Sequence, residues 1–146
     1  MDSKGRFLLP AGFKKLMPEG THKLVVNRGL DSCLNLYLPK DWQVVEERLA
    51  QVNPYDSREN RLVRKALIAG AMYLEFDTAG RLNLPKKLMD YAGLNKEIVL
   101  AGDIDKIEIW DKDKYEKIFD ELTPETVTRM SAQILGSQAE NPLAGL

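Results

Sequence analysis

Two arginines stand at matching places in a stretch that the chain carries twice. The first copy is Asp2-Ser3-Lys4-Gly5-Arg6-Phe7-Leu8-Leu9-Pro10, and the second is Asp77-Thr78-Ala79-Gly80-Arg81-Leu82-Asn83-Leu84-Pro85. Asp, Gly, Arg, an apolar residue, Leu and Pro recur in the same order and spacing. An Asp opening a tight loop accepts N–H bonds from residues just ahead of it, and Gly supplies the positive φ such a loop needs. The stretch therefore predicts a turn, then a short strand (Phe7-Leu8-Leu9 in the first copy) stopped by proline, which cannot continue a ladder. Arg6 and Arg81 fall at the start of that strand, beside a reversal of the chain. There a guanidinium can point outward as a planar fork of donors, suited to a phosphate or to the O6/N7 edge of guanine. Lys4 can add a phosphate contact without a fork. Asp2 and Asp77 are expected to shape the loops and hold the arginines, because a carboxylate facing an anionic ligand would be repelled. Gly5 and Gly80 let the backbone turn and approach closely.

Other chemistries find no residues to carry them. There is no Gly-rich phosphate loop ending in Lys-Ser/Thr, and the single His22 and single Cys33 cannot build a metal set or a nucleophile–base pair. No enzyme activity, metal or cofactor is expected, and no small-molecule substrate. Cys33 excludes an internal disulfide framework and fits a reducing cytosol. No apolar run approaches the ~20 residues of a membrane span, and residues 1–6 lack the apolar core of a signal peptide. The net charge is −1, but its distribution is uneven. Residues 1–29 and 57–96 each carry a balance of +4, and each block contains one copy of the stretch; residues 97–146 hold five basic and eleven acidic side chains. That asymmetry predicts a local anion-binding face on a protein of modest overall charge.

The elements that must position the loops follow the same doubling. Residues 11–17 predict a short helix, Leu24-Val25-Val26 a buried strand, Arg28 to Ser32 a turn, and Cys33 to Tyr37 a second strand. A helix from Pro39 carries Trp42, Val45, Leu49 and Val52 on one face. Asp56, with Glu59 three residues on, predicts the capping box of a connecting helix running to about Ala69. The strand Ala71 to Phe76 then leads into the second copy. Lys86–Ala92, Ile98-Val99-Leu100, the turn Gly102 to Asp105, Ile107 to Trp110, and a helix carrying Tyr115, Ile118 and Leu122 repeat the first half. Thr123 caps a last helix with Pro124 in its first turn, and a frayed tail is expected from Gly136 to Leu146. Each unit of about 47 residues is too small to bury a good core alone. The expectation is an α+β fold in which two β-rich repeats pair as an intramolecular pseudo-dimer. Its parts are residues 1–52, a connecting helix 53–70, residues 71–122, and a C-terminal segment 123–146.

One asymmetry stands out. The second copy follows a strand, and the first follows Met1 alone. A start site placed too late, a trimmed chain, and a first unit built without that strand are all compatible with this. A missing strand would leave an unpaired sheet edge.

The two Asp-x-x-Gly-Arg-φ-x-Leu-Pro copies, the Arg28-Gly29-Leu30-Asp31 turn and the Leu34-Asn35-Leu36-Tyr37…Trp42 transition closely resemble the MraZ family, over the chain to about Leu122. The resemblance implies an AbrB-like (swapped-hairpin) fold with both halves fused into one barrel. It also implies a transcriptional regulator of the bacterial division and cell-wall gene cluster, cytoplasmic and nucleoid-associated. The implied assembly is a ring-like homo-oligomer on repeated promoter boxes of double-stranded DNA. Asp2, Gly5 and Arg6 match the first signature, with Lys4 inside it; Asp77, Gly80 and Arg81 match the second, where Ala79 replaces the lysine. The AbrB-like fold also serves toxin–antitoxin pairs, so a protein-interaction or antitoxin-type module is the competing expectation. The remaining conspicuous residues have plain readings: His22 at the surface, Cys33 as a core thiol, Trp42 and Trp110 in the core or at a subunit contact, and Arg58, Arg61, Arg64 and Lys65 as a solvated or bonded helix face.

Overall fold

Phe7 and Leu82 are equivalents in the repeat, and they lie directly opposite one another on paired strands. β1 (Arg6–Leu8) and β5 (Arg81–Asn83) form an antiparallel two-stranded ribbon whose register puts Phe7 against Leu82 and Arg6 against Asn83. A second pairing centres on equivalents in the same way: β3 (Leu34–Tyr37) runs antiparallel to β7 (Lys106–Asp111) with Asn35 opposite Glu108. One pseudo-twofold axis therefore relates the halves through both sheets. The larger sheet adds β2 (Lys23–Arg28), β4 (Met72–Glu75) and β6 (Ile98–Asp103), in the order β4-β2-β3-β7-β6, all neighbours antiparallel. β1–β5, β2–β4 and β3–β7 all join one half to the other, so neither half closes a core by itself.

The computed structural model describes residues 1–136, and the expected tail lies beyond them except for Gly136. The fold is mixed α/β, with two antiparallel sheets and six α-helices among the described residues. Residues Met1–Lys112 form one compact unit and the chain from Asp113 a second. The core of the first lies between the ribbon and one face of the larger sheet: Phe7, Leu9, Leu82 and Leu84 meet Leu24, Val26, Leu34, Leu36 and Ile109. Strand alternation sends Val25 and Tyr37 to the opposite face, where Trp42 of α2 (Pro39–Leu49) packs on them, its ring 5.5 Å from Tyr37. Both tryptophans are buried, as is Cys33. No helix among the described residues is long and apolar enough to cross a membrane.

Several local expectations are corrected. α1 is shorter than its apolar spacing predicts, Ala11–Lys15, and leaves Leu16 exposed. α2 stops at Leu49 rather than Val52. The connecting helix α3 (Arg58–Arg64) is capped by Ser57, not Asp56: the Ser57 hydroxyl accepts from Asn60 N–H at 3.0 Å, while Asp56 takes a bond from the Asn53 side chain. Ser57 stands one residue closer and reaches the third helical N–H, so the box read from Asp56 and Glu59 does not form. Residues Lys65–Ala69 continue as a π-helical turn. Arg61 and Arg64 of the basic face donate to the carbonyls of Pro54 and Val52, binding α3 to the preceding loop. α4 (Lys86–Ala92) ends on Gly93 in the left-handed region. α5 (Lys112–Glu121) carries an edge-on Tyr115–Phe119 contact, and α6 (Pro124–Leu135) is capped by Thr123.

The repeat is broken at one edge. β2 is flanked by β3 and β4, whereas β6 pairs only with β7 among the described residues. The Met1 amino group donates to Lys96 O at 3.1 Å, matching the bond from Phe76 N–H to His22 O in the other half.

Candidate nucleic-acid interface

The two loops are built by the same set of bonds. Asp2 Oδ1 accepts the N–H groups of Lys4 and Arg6 at 3.0 and 2.9 Å, and its Oδ2 accepts from Arg6 Nε at 2.7 Å. Asp77 Oδ1 accepts from Ala79 and Arg81 N–H at 2.9 and 2.8 Å, and its Oδ2 from Arg81 Nε at 2.9 Å. The main chain closes each loop with Asp2 N–H to Arg6 O and Gly5 N–H to Asp2 O, and with the corresponding bonds from Asp77 and Gly80. Gly5 and Gly80 hold φ of +84° and +77°, a region that costs other residues steric strain.

This arrangement fixes each arginine through Nε alone. Among the described residues no hydrogen bond takes up the terminal Nη donors of Arg6 or Arg81, so an aligned two-donor fork remains at the tip of each. Both side chains are about a third exposed, at 33% and 35%, so neither is in the interior. Because each arginine is paired with its own aspartate, the pair cancels at long range and the fork acts at contact distance.

Strand alternation places both arginines on one outer face. Phe7 and Leu82 point into the core, while Arg6, Leu8, Arg81 and Asn83 face outward, Leu8 at 58% exposure. In the register, Arg6 and Arg81 are diagonal neighbours, a relation that sets Cα atoms ~7–8 Å apart. Leu8 and Asn83 were missed by motif matching, since they differ between the copies; the period of two counted from either arginine would have found them.

Net positive charge comes from beside the ribbon. An open depression of about 880 Å³ adjoins the first loop and is lined by Lys4, Lys86 and Lys96, with Asp2 and Asp90. At the second loop, where Ala79 stands in place of a lysine, Lys14 of α1 brings its Nζ to 3.3 Å from where a Gly80 Cβ would sit. Lys14 and Lys86 lie in the basic blocks of the sequence, but only the fold sets them against the loops.

Two expectations follow. The backbone bond from Arg6 lowers the Asp2 carboxyl pKa from 3.8, helped by the guanidinium, and Arg81 does the same for Asp77. A folded-state pKa below the unfolded one adds stability that is complete above about 3.8 and is lost as pH falls through the depressed value. Carboxyl-carbon NMR titration should give midpoints below 3.8 for both; a midpoint at or above it contradicts the loop geometry. Second, the two glycines should differ. A methyl on Gly5 would meet Leu84 O and Met89 Sδ at 2.8 Å, whereas on Gly80 it meets only the flexible Lys14 tip. Gly80→Ala should cost about 1–2 kcal/mol from φ alone, and Gly5→Ala measurably more. Urea unfolding checks the order.

A family model described as "MraZ protein, putative antitoxin-like" matches residues 1–65 and again residues 67–136. The chain is 36% identical over 139 residues to the transcriptional regulator MraZ of Christiangramia forsetii, spanning 94% of this chain and 88% of that protein. It is 40% identical over 121 residues to the transcriptional regulator MraZ of Pediococcus pentosaceus (83% and 82% covered) and 37% identical over 116 residues to that of Natranaerobius thermophilus (80% and 78%).

Proposed function

We propose, since this chain belongs to the MraZ family, that it is a sequence-specific DNA-binding transcriptional regulator of a division and cell-wall gene cluster. It acts in the cytoplasm on the nucleoid, as a ring-like homo-oligomer on repeated promoter boxes. The observation that carries this reading is the outer face of the β1–β5 ribbon, with two forks aligned by Asp2 and Asp77. A two-stranded ribbon fits the major groove, and a fork end-on to guanine O6 and N7 reads sequence there. The diagonal spacing of Arg6 and Arg81 spans about two base pairs at ~3.4 Å each, and Leu8 between them suits a thymine methyl. Lys4, Lys14 and Lys86 supply phosphate contacts.

The pairing of β1–β5, β2–β4 and β3–β7 across the halves supports a barrel of the AbrB-like, swapped-hairpin kind, formed by the repeats 1–52 and 71–122, with 53–70 as the connecting segment and 123–146 following in the chain as a C-terminal segment. One chain offers only two forks and a few lysines, so strong binding needs several chains on several boxes, where avidity adds roughly 10²–10⁴ in affinity. The test is light-scattering mass of the pure protein with and without its own upstream DNA, together with salt-dependent binding to that fragment. A monomer indifferent to the fragment overturns the reading. Co-purification of a small protein partner in its place favours the antitoxin-type module.

A further inference from the structure

A polar row crosses the buried middle of the larger sheet. Asn27 of β2 lies opposite Asn35 of β3, and Asn35 lies opposite Glu108 of β7. All three point to the face covered by α2 and the π-helical turn. Between these layers is a cavity of about 290 Å³, lined by the three polar residues and by Val45, Leu49 and Leu67. Asn27 and Asn35 are 2% and 8% exposed, and the Oδ1 of each has no hydrogen-bond partner. The orientation of Asn27 is fixed, because its Nδ2 donates to Leu67 O at 3.0 Å. Two buried amide oxygens without donors are an exception to the rule that such groups are satisfied, and they call for a ligand that brings donors.

The charges around the cavity choose the ligand. Asp31 and Glu108 line it, and the one lysine there, Lys106, is paired with Asp103 at 3.6 Å. Glu108 is held in place by Trp110 Nε1 at 3.3 Å and the Cys33 thiol at 3.9 Å. Burial raises both the Cys33 thiol and the Tyr37 hydroxyl to about 12, with carboxylates adding to it: Glu108 and Asp31 at the thiol, Asp105 and Glu108 at the hydroxyl. Both groups stay neutral, and the local potential is negative. A metal ion is disfavoured, since no group of three acidic, His or Cys side chains among the described residues could hold one. Gly29 leaves the space clear: a side chain there would strike Cys33 Sγ at 2.7 Å and Asn35 Oδ1 at 3.0 Å.

We propose that this cavity binds a small aliphatic primary amine as its ammonium ion, donating to Asn27 Oδ1 and Asn35 Oδ1, with its carbon chain against Val45 and Leu49. The site is separate from the ribbon and stands whether or not the ribbon meets DNA. Butylammonium chloride is the probe, titrated into the full chain labelled with ¹⁵N while the Asn27 and Asn35 side-chain amide signals are followed. A saturable shift is expected. Tetramethylammonium (charge without donors) and 1-butanol (a donor without charge) should bind about tenfold more weakly or worse. Asn35→Leu should weaken butylammonium by a similar factor. Should that variant melt, Glu108→Gln, at a partly exposed position, should weaken butylammonium but not butanol. No saturable shift, an equal response to tetramethylammonium, or unchanged binding in the variants overturns the proposal and leaves the cavity to ordered water.

Discussion

Replacing Arg6 and Arg81 together by alanine should weaken binding to the chain's own upstream DNA by about a hundredfold or more, since each two-donor contact to a base contributes roughly 1–3 kcal/mol. The fold should be untouched. Both side chains leave the protein surface from loops whose backbone is closed by Asp2 and Asp77 through main-chain N–H groups. The melting temperature should therefore move by less than about 3 °C. Arg6→Lys with Arg81→Lys separates fork from charge. Lysine keeps the positive charge and loses the planar pair of donors, so this variant should also bind poorly to the promoter fragment while keeping most of its affinity for unrelated DNA. Electrophoretic shift or fluorescence anisotropy at several salt concentrations reads all of these. Normal promoter binding by the double alanine variant would remove the ribbon face from the mechanism.

Leu82→Ala should destabilise the protein by about 3–5 kcal/mol, the range for a buried leucine whose site cannot collapse. Leu82 is fully buried, lies opposite Phe7 where the pseudo-twofold axis crosses the ribbon, and belongs to the main core cluster. Its loss opens a void where the two halves meet symmetrically in the ribbon. Leu8→Ala, on the outer face of the same ribbon, should stay within about 0.5 kcal/mol of the parent. Urea unfolding should show the midpoint of Leu82→Ala shifted with the slope unchanged, because the surface exposed on unfolding is nearly the same. Equal effects of the two substitutions would mean that the ribbon does not sit on the larger sheet as described.

The sequence by itself determined the doubling and the chemistry of the loops. Both are local matters: Asp, Gly and Arg lie within five residues, and the bonds that fix them run between i and i+2, i+3 or i+4. The strands and the helix Lys86–Ala92 were legible for the same reason, since period and proline positions act over a few residues. Local rules failed where two neighbours compete, as at the start of α3, where the hydroxyl of Ser57 rather than the carboxylate of Asp56 reaches Asn60 N–H.

Only the tertiary structure decided what lies beside each loop. Which strands pair across the halves is settled by burying Phe7, Leu82 and their neighbours together, an event between residues 75 apart that no window of sequence contains. That pairing sets Arg6 and Arg81 on one face and swings Lys14 over the loop that lacks a lysine of its own. It also lines up Asn27, Asn35 and Glu108 beneath α2. Identity and spacing name the groups that can donate a hydrogen bond or accept one; contact between distant segments decides which of them are left to do so.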